Sequence, residues 1–249
     1  MIGLDRIEDI ALVKLEHGKA NALDPEFLDE IRGTFESLRE DPPRGVILTA
    51  EGKIFCAGLN LVALVDASEE ELEALVDGLY AALREIFTFP RPVVAAINGH
   101  AMAGGALLTL ACDQRVMAMG EGKWGLTEAQ LGLVVPASMI EMSRYPLDRV
   151  VLEKLLYGGQ AYPGFKAREM GVLDDLVDPG DRLERAAEII RGWTPVPAAF
   201  ADIKARLKEP SLEAMEAARS RDRLFQTRWN DPEVRRLVRS AVDRLTNRG

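Results

Sequence analysis

Strand-like and helix-like segments alternate along the chain up to about residue 120, and this alternation restricts the fold more than any other feature. The strand-like segments are rich in β-branched residues and end at turn residues. They are IALVKLEHG (10–18), GVILTA (45–50), RPVVAAING (91–99) and QRVMAM (114–119). Helical patterns separate them, which is typical of α/β proteins. We therefore predict α/β layers around a sheet that is at least partly parallel.

Three helices are predicted from their first residues. Asp24 is a suitable N-cap, Pro25 suits the first helical position, and apolar residues then recur up to position 38. A second helix begins at Ser68, where Glu71 follows three residues later as in a capping box. Its apolar face contains Leu72, Leu75, Leu79 and Leu83. A third helix, MAGGALLTLAC (102–112), begins with glycines.

Helices dominate from about residue 136, and the stretch after about residue 195 is charged and rich in arginine. Pro195 and Pro197 mark the predicted boundary between a core and this C-terminal helical stretch. We therefore predict a core over residues 1–194 and a C-terminal helical subdomain over residues 195–249.

Composition excludes several classes of protein. A net charge of −9 disfavours nucleic-acid binding, which needs a basic surface. The sequence lacks a run of about 18 apolar residues, and its N-terminus mixes acids with apolar residues, so we expect neither a membrane span nor a signal peptide. Two cysteines, Cys56 and Cys112, cannot form a disulfide framework, which favours a cytoplasmic protein. The two histidines disfavour a His-based metal site, so carboxylates, hydroxyls and backbone groups have to carry any chemistry.

Two segments place small residues directly after a strand. FCAGLN (55–60) follows a short hydrophobic run, and INGHAMAGGALLTLACD (97–113) has Gly104 and Gly105 at a helix start. The first N–H groups of a helix lack intrahelical acceptors and carry the positive end of the helix dipole. Glycine lets a ligand oxygen approach such groups closely. Tight packing of a helix on a strand is the alternative explanation for the Gly-Gly pair.

Three motifs in order, GKIFCAGLNL (52–61), INGHAMAGGALLTLACD (97–113) and WGLTEAQLGLVVP (124–136), resemble those of the enoyl-CoA hydratase/isomerase (crotonase) superfamily. The resemblance covers nearly the whole chain. It implies a crotonase-like spiral of repeated ββα units, a C-terminal helical region, and homotrimers or dimers of trimers. It also implies an acyl-CoA thioester substrate whose carbonyl is polarised by two backbone N–H groups. By position, these donors are Leu59 and Gly104.

The resemblance also indicates which group moves the proton. Hydratases of this family use two glutamates, one of them three residues after the second N–H donor. That position is Leu107 in this chain, whereas the other glutamate is present as Glu128. A single glutamate resembles the Δ3,Δ2-enoyl-CoA isomerase branch, in which one carboxylate moves a proton from C2 to C4. An apolar Leu107 would exclude water and raise the pKa of Glu128.

Two alternatives remain open. A hydratase could take its second acid from residues 66–71, although these acids otherwise form a solvated helix start: Asp66, Glu69, Glu70 and Glu71. A non-catalytic acyl-CoA-binding scaffold could keep the fold, but a scaffold needs neither Glu128 nor intact donor segments. Dehalogenation, decarboxylation and thioester hydrolysis, which other superfamily members perform, are also compatible with the motifs.

Coenzyme A is expected as part of the substrate and not as a separate cofactor. Its predicted contacts, besides the backbone of KANAL (19–23), are Ala22, Ala57, Gly58, Asn60, Leu61 and Leu107. Lys19 and Lys53 are candidate partners of the phosphates. So are four C-terminal arginines, for which exposed helix faces or a trimer contact are the alternative: Arg219, Arg221, Arg223 and Arg228.

Other notable residues are expected to be structural. His100 is expected to be a packed or hydrogen-bonded loop residue, and Cys56 a small core residue. Asp113 and Arg115 are expected to form a network at the start of a strand. Phe225 and Trp229, four residues apart, are expected to pack as a helical stripe.

Overall fold

The computed structural model describes residues 1–193 and 196–246. The strands are β1 (Ile2–Ile7), β2 (Ile10–Leu15), β3 (Val46–Ala50), β4 (Ile54–Cys56), β5 (Val93–Ile97), β6 (His100–Met102), β7 (Gln114–Ala118), β8 (Lys123–Gly125), β9 (Tyr162–Pro163) and β10 (Asp175–Val177). The helices are α1 (Pro25–Glu40), α2 (Leu61–Leu64), α3 (Glu69–Phe87), α4 (Gly104–Ala111), α5 (Ala137–Ser143), α6 (Arg149–Gly158), α7 (Gly164–Glu169), α8 (Arg182–Trp193), α9 (Pro197–Ala218), α10 (Leu224–Trp229) and α11 (Pro232–Thr246). Short 3-10 helices cover Glu128–Leu131 and Arg219–Arg221.

The main sheet has the order β1-β2-β3-β5-β7-β10. The first two strands form an antiparallel pair, and every later pairing in this sheet is parallel. The prediction of an α/β fold with a partly parallel sheet is therefore confirmed. The central strands β3 and β5 are buried along their whole length, as expected for a sheet covered on both faces.

A second sheet of short strands, in the order β4-β6-β8-β9, lies where the functional motifs are. Each of its first three strands follows directly on a strand of the main sheet: β3 leads to β4, β5 to β6, and β7 to β8. Helices α3 and α4 then follow the first two of these pairs, as α1 follows β1 and β2. The repeated ββα architecture expected from the resemblance is confirmed.

The helix starts were predicted correctly for α1 and α3. The Asp24 carboxylate accepts a hydrogen bond from the Phe27 N–H, and Pro25 is the first helical residue. In α3, Ser68 and Glu71 form both hydrogen bonds of the capping box. The third helix was predicted two residues too early, because Met102 ends β6 and α4 begins at Gly104.

The C-terminal helices pack on the rest of the chain. Helix α9 packs against α5, α10 contacts α3, and α11 contacts α2. Two buried lysines of α9, Lys204 and Lys208, both form ion pairs with Asp113, which lies two residues after the end of α4 and has a side chain that is 8% exposed. Pro195 and the predicted boundary at 194/195 lie outside the described residues, so the division into two domains stays a prediction. Within the described ranges, no helix combines the length and apolar character that a membrane crossing needs.

Candidate active site

A cavity of about 120 Å³ lies where the two small-residue segments meet. Its wall is mostly aliphatic and comes from five parts of the chain. The lining residues are Ala57, Leu59, Leu61, Leu75, Val76, Leu79, Ala103, Gly104, Leu107, Thr127, Glu128, Leu131, Leu133, Pro136 and Phe225. All three motifs of the sequence therefore contribute to one apolar cavity.

The first segment, residues 55–60, begins in β4 and forms backbone hydrogen bonds with residues 20–23. The Leu23 N–H donates to the Gly58 carbonyl at 2.7 Å, and the Asn60 N–H donates to the Leu23 carbonyl at 2.8 Å. Gly58 has φ 91°, a conformation that glycine adopts without strain. The Leu59 N–H between these pairs has no protein acceptor within residues 1–193 and 196–246. It is therefore available to a ligand at the cavity wall.

The second segment begins α4. Ala103 has φ 50° and ψ −121°, which an L-residue adopts only under constraint. Its N–H donates to the Gly125 carbonyl at 2.8 Å, and its own carbonyl accepts from the Leu107 N–H at 3.1 Å. These two bonds fix the peptide that carries the Gly104 N–H, which also lacks a protein acceptor among the described residues.

The two glycines of the Gly-Gly pair have different roles. A Cβ on Gly105 would overlap the Cys56 carbonyl, so Gly105 permits the close packing of α4 on β4. A Cβ on Gly104 would lie 3.7 Å from Gly58 Cα, so these two backbones are close neighbours at the cavity. The free N–H groups of Leu59 and Gly104 consequently lie on adjoining backbone segments. Two such donors can bind one carbonyl oxygen as negative charge develops on it.

Glu128 supplies the carboxylate. It is the first residue of the Glu128–Leu131 3-10 helix, and it is the one ionisable side chain among the residues that line the cavity in the described ranges. Although the residue is only partly buried overall, Glu128 Oε2 is inaccessible to solvent and lacks a hydrogen-bond partner in the described part of the chain. Burial of the carboxyl group raises its pKa from 4.5 to about 7. A carboxyl with this pKa can accept and return a proton near neutral pH.

Leu107 lies one helical turn after Gly104 and is 1% exposed. It lines the same cavity as Glu128. The position where hydratases of the family are expected to carry a second glutamate is therefore filled by an aliphatic side chain at the cavity wall.

The predicted coenzyme A contacts are only partly cavity residues. Ala57 and Leu61 line the cavity, whereas Ala22 is half-buried beside it in the segment paired with residues 57–60. The Asn60 side chain caps α2 by accepting from the Ala63 N–H at 3.2 Å. Lys19 and Lys53 are exposed. Coenzyme A contacts by these residues stay predictions.

The acids of residues 66–71 do not line the cavity. Asp66 forms an ion pair with Arg239 at 2.7 Å, and Glu71 caps α3. Among the arginines considered for the phosphates, Arg219 is bound to Asp77 and Asp222. These contacts hold the side chains of Asp66, Glu71 and Arg219 in structural roles.

The residues expected to be structural have structural contacts. His100 Nδ1 accepts from the Lys123 N–H at 3.2 Å, although His100 lies in β6 and not in a loop. Arg115 binds Asp174 at 2.6 Å and the Val172 carbonyl at 2.8 Å. Cys56 is fully buried, and burial raises the pKa of its thiol to about 12, so the thiol is not a nucleophile.

Sequence reasoning missed the contributions of Thr127 and Phe225 to the cavity. Thr127 directly precedes Glu128, and its position in the third motif was a usable signal. Phe225 packs with Trp229, with ring centroids 5.8 Å apart, as expected for a helical stripe, but it also forms part of the cavity wall. Its place there depends on how α10 docks against α3, which a local pattern does not encode.

Comparison with known proteins identifies the family of the chain. The family model for enoyl-CoA hydratase/isomerase matches residues 5–242. A putative enoyl-CoA hydratase of Thermus thermophilus is 34% identical over 172 residues, which are 68% of this chain and 67% of that protein. The mitochondrial enoyl-CoA delta isomerase 1 of Mus musculus is 32% identical over 192 residues, 76% of this chain and 66% of that protein. The match thus spans about two thirds of the length of these relatives.

A solved structure extends the match to nearly the entire chain. The crystal structure of human mitochondrial delta3-delta2-enoyl-CoA isomerase superposes with a TM-score of 0.93 at 25% identity, covering 99% of this chain and 98% of that one. The family match, the ββα repeats and the structural superposition lead to one conclusion. The chain belongs to the enoyl-CoA hydratase/isomerase family.

Proposed function

We propose that the protein is a Δ3,Δ2-enoyl-CoA isomerase. The observation that carries the proposal is the pairing of one carboxylate, Glu128, with an aliphatic residue, Leu107, in a mostly aliphatic cavity. A 1,3-proton shift needs one base that can also act as an acid. Hydration needs a positioned water and a second acid, and in the described part of the chain the cavity wall supplies Glu128 alone for that purpose.

The proposed reaction has two proton transfers. The thioester oxygen accepts hydrogen bonds from the Leu59 and Gly104 N–H groups, which acidifies the C2–H bond. The Glu128 carboxylate takes a proton from C2, and the electron pair delocalises into the dienolate over the thioester oxygen, C2 and C4. The protonated Glu128 then returns the proton to C4, leaving the double bond between C2 and C3. This step consumes no other reactant, so we expect no further cofactor.

Enoyl-CoA hydration is the second candidate function. The resemblance to the Thermus thermophilus putative hydratase favours it, as does a 31% identity over 177 residues to a carnitinyl-CoA dehydratase of Proteus mirabilis. A hydratase would have to obtain its second acid from outside the cavity wall. The segment of residues 66–71 would need to rearrange to supply one, since Asp66 and Glu71 are engaged elsewhere. A non-catalytic scaffold is disfavoured by Glu128 Oε2, which is buried and has no hydrogen-bond partner among the described residues.

The deciding experiment is incubation of the protein with 3-enoyl-CoA and, separately, with 2-enoyl-CoA, with products identified by mass and chromatography. The proposal expects conversion of the 3-enoyl to the 2-enoyl thioester without a mass change. Rapid formation of hydroxyacyl-CoA, which is heavier than the substrate by one water, would establish the hydratase instead. Binding without turnover of either substrate would favour the scaffold.

Assembly as a homotrimer or dimer of trimers, and a cytoplasmic location, stay proposals.

A further inference from the structure

The size and lining of the cavity restrict the acyl group. An apolar protein cavity of roughly 150 Å³ holds a benzene molecule, that is, six carbons. The cavity here measures about 120 Å³, and Thr127 and Glu128 are its polar side chains. If the proposed function is correct, this space suits a short apolar acyl chain.

Phe225 and Val76 form the wall between this cavity and a second pocket. The second pocket, of about 270 Å³, opens at the surface and is lined by Glu73, Val76, Asp77, Arg219, Ser220, Asp222, Arg223 and Gln226. Val76 lines both spaces, whereas Asp222, Arg223 and Gln226 line only the second. The Phe225 side chain is 2% exposed. A chain that passed Phe225 would leave aliphatic surroundings and reach charged side chains.

Hydrogen bonds fix the segment that carries Phe225. The buried Asp222 carboxylate accepts from the Ser138 N–H at 2.9 Å and from the Ser138 hydroxyl at 2.6 Å. The Asp222 carbonyl accepts from the Phe225 N–H at 2.9 Å. Ser138 lies in α5, two residues after Pro136 of the cavity wall. The backbone that carries Phe225 is therefore bound to the segment that follows Pro136. Displacing this backbone would break the buried hydrogen bonds between Asp222 and Ser138.

Arg219 adds a second connection. It binds Asp222 at 3.2 Å and Asp77 of α3 at 2.6 Å, and its guanidinium lies 4.2 Å from the centre of the Tyr80 ring. Helix α3 also supplies Leu75, Val76 and Leu79 to the cavity. The segment that leads into α10 is thus bound both to α3, through Asp77, and to α5, through Ser138.

We infer that Phe225, backed by Val76, is the residue that limits acyl-chain length, and that the site accepts acyl groups of about six carbons or fewer. The inference rests on the proposed binding of acyl-CoA but not on the isomerase chemistry. Phe225 acts by occupying space, so its effect has to appear in equilibrium binding as well as in turnover.

The test measures dissociation constants of saturated acyl-CoA thioesters by calorimetry. The series is acetyl, butanoyl, hexanoyl, octanoyl and decanoyl. Each buried methylene should tighten binding by about fourfold until the cavity is full. The wild type should stop gaining affinity near hexanoyl, whereas Phe225→Ala should continue to gain affinity for the longer chains. Phe225→Leu, which removes less volume and is safer for folding, should shift the limit in the same direction by a smaller amount.

Leu224→Ala is the matched control, because Leu224 is the neighbouring residue of α10 and is 49% exposed. Leu224→Ala should keep the wild-type limit on acyl-chain length. An unchanged limit in folded Phe225→Ala and Phe225→Leu would overturn the role of Phe225 while leaving acyl-CoA binding intact. A wild-type affinity that continues to rise through decanoyl would also overturn it. Failure of every thioester to bind would instead remove the proposed function, and this inference with it.

Discussion

The backbones of Gly58 and Gly104 pack closely at the cavity, although 46 positions separate them in the chain. A Cβ on Gly58 would lie 3.4 Å from the Gly104 nitrogen and 2.9 Å from the Ala103 Cβ. This contact brings the free Leu59 and Gly104 N–H groups to one place in the cavity wall. The proposed stabilisation of the thioester oxygen depends on it.

The role of the Gly104 N–H is testable with proline. Gly104→Pro removes the donor and should lower kcat by about 10²- to 10³-fold, the usual loss for one such donor. Proline is tolerated at the first position of a helix, so α4 should still form. Gly104→Ala keeps the N–H and introduces only a contact of 2.9 Å with the flexible Leu23 side chain. It should therefore retain much more activity.

Circular dichroism and thermal melting of both variants establish that they fold. The result that would contradict this role is equal activity of the folded proline and alanine variants. Leu59→Ala should be mild in the same assay, because it leaves the first backbone donor in place.

The raised pKa of Glu128 predicts how the rate depends on pH. The carboxylate is the base, so kcat/KM should rise tenfold per pH unit below about pH 7 and level off above it. Glu128→Gln should reduce the rate by about 10²- to 10⁴-fold and abolish this pH dependence. Glu69→Gln, at an exposed acid of the alternative segment, should keep the wild-type profile. A Glu128→Gln variant with the wild-type rate and profile would exclude Glu128 as the base.

The same shift predicts an effect on stability. The pKa of Glu128 is about 7 in the folded protein and near 4.5 when unfolded, so between these values the folded state binds more protons. The free energy of unfolding should therefore fall as pH rises from about 4.5 to 7, by at most about 3 kcal/mol. Glu128→Gln removes this pH-dependent decrease in the free energy of unfolding. The variant should gain stability relative to the wild type on going from pH 4 to pH 8, which denaturant unfolding at both pH values measures. An identical stability difference at the two pH values would show that Glu128 titrates normally.

Much of this architecture follows from local signals. The caps at Asp24 and Ser68 determine where α1 and α3 begin, and continuous apolar runs identify the buried parallel strands. The small residues of the first two motifs identified two segments that meet at the cavity. These features are predictable because they depend on interactions within a few residues of the chain.

Other features depend on distant contacts. Strands β6 and β8 contain three residues each and exist through pairing with one another, so they carry little periodicity of their own. Ala103 adopts a positive φ because Gly125 and Leu107 hold it, although its residue type predicts the opposite. Phe225 reaches the cavity through the buried bonds of Asp222 to Ser138, 84 positions away. A local sequence pattern does not predict tertiary contacts of this kind.

The last prediction concerns the missing second carboxylate. Leu107 lines the cavity and is 1% exposed, so a side chain at this position faces the space proposed for the substrate. Wild-type protein should therefore move double bonds much faster than it adds water. Leu107→Glu should raise the ratio of hydration to isomerisation, because a second carboxylate could hold a water opposite Glu128.

The absolute gain in hydration by Leu107→Glu should be small, and isomerisation should decrease. A second buried carboxyl raises one or both carboxyl pKa values and costs stability, since two like charges share an apolar space. Leu107→Gln is the matched control, because it introduces polarity and similar volume without an acid. The measurement is the product ratio of all three proteins on one 3-enoyl-CoA and the matching 2-enoyl-CoA. Efficient hydration by the wild type would overturn the isomerase proposal, and the same ratio in folded Leu107→Glu and Leu107→Gln would show that an acid at this position does not reach the substrate.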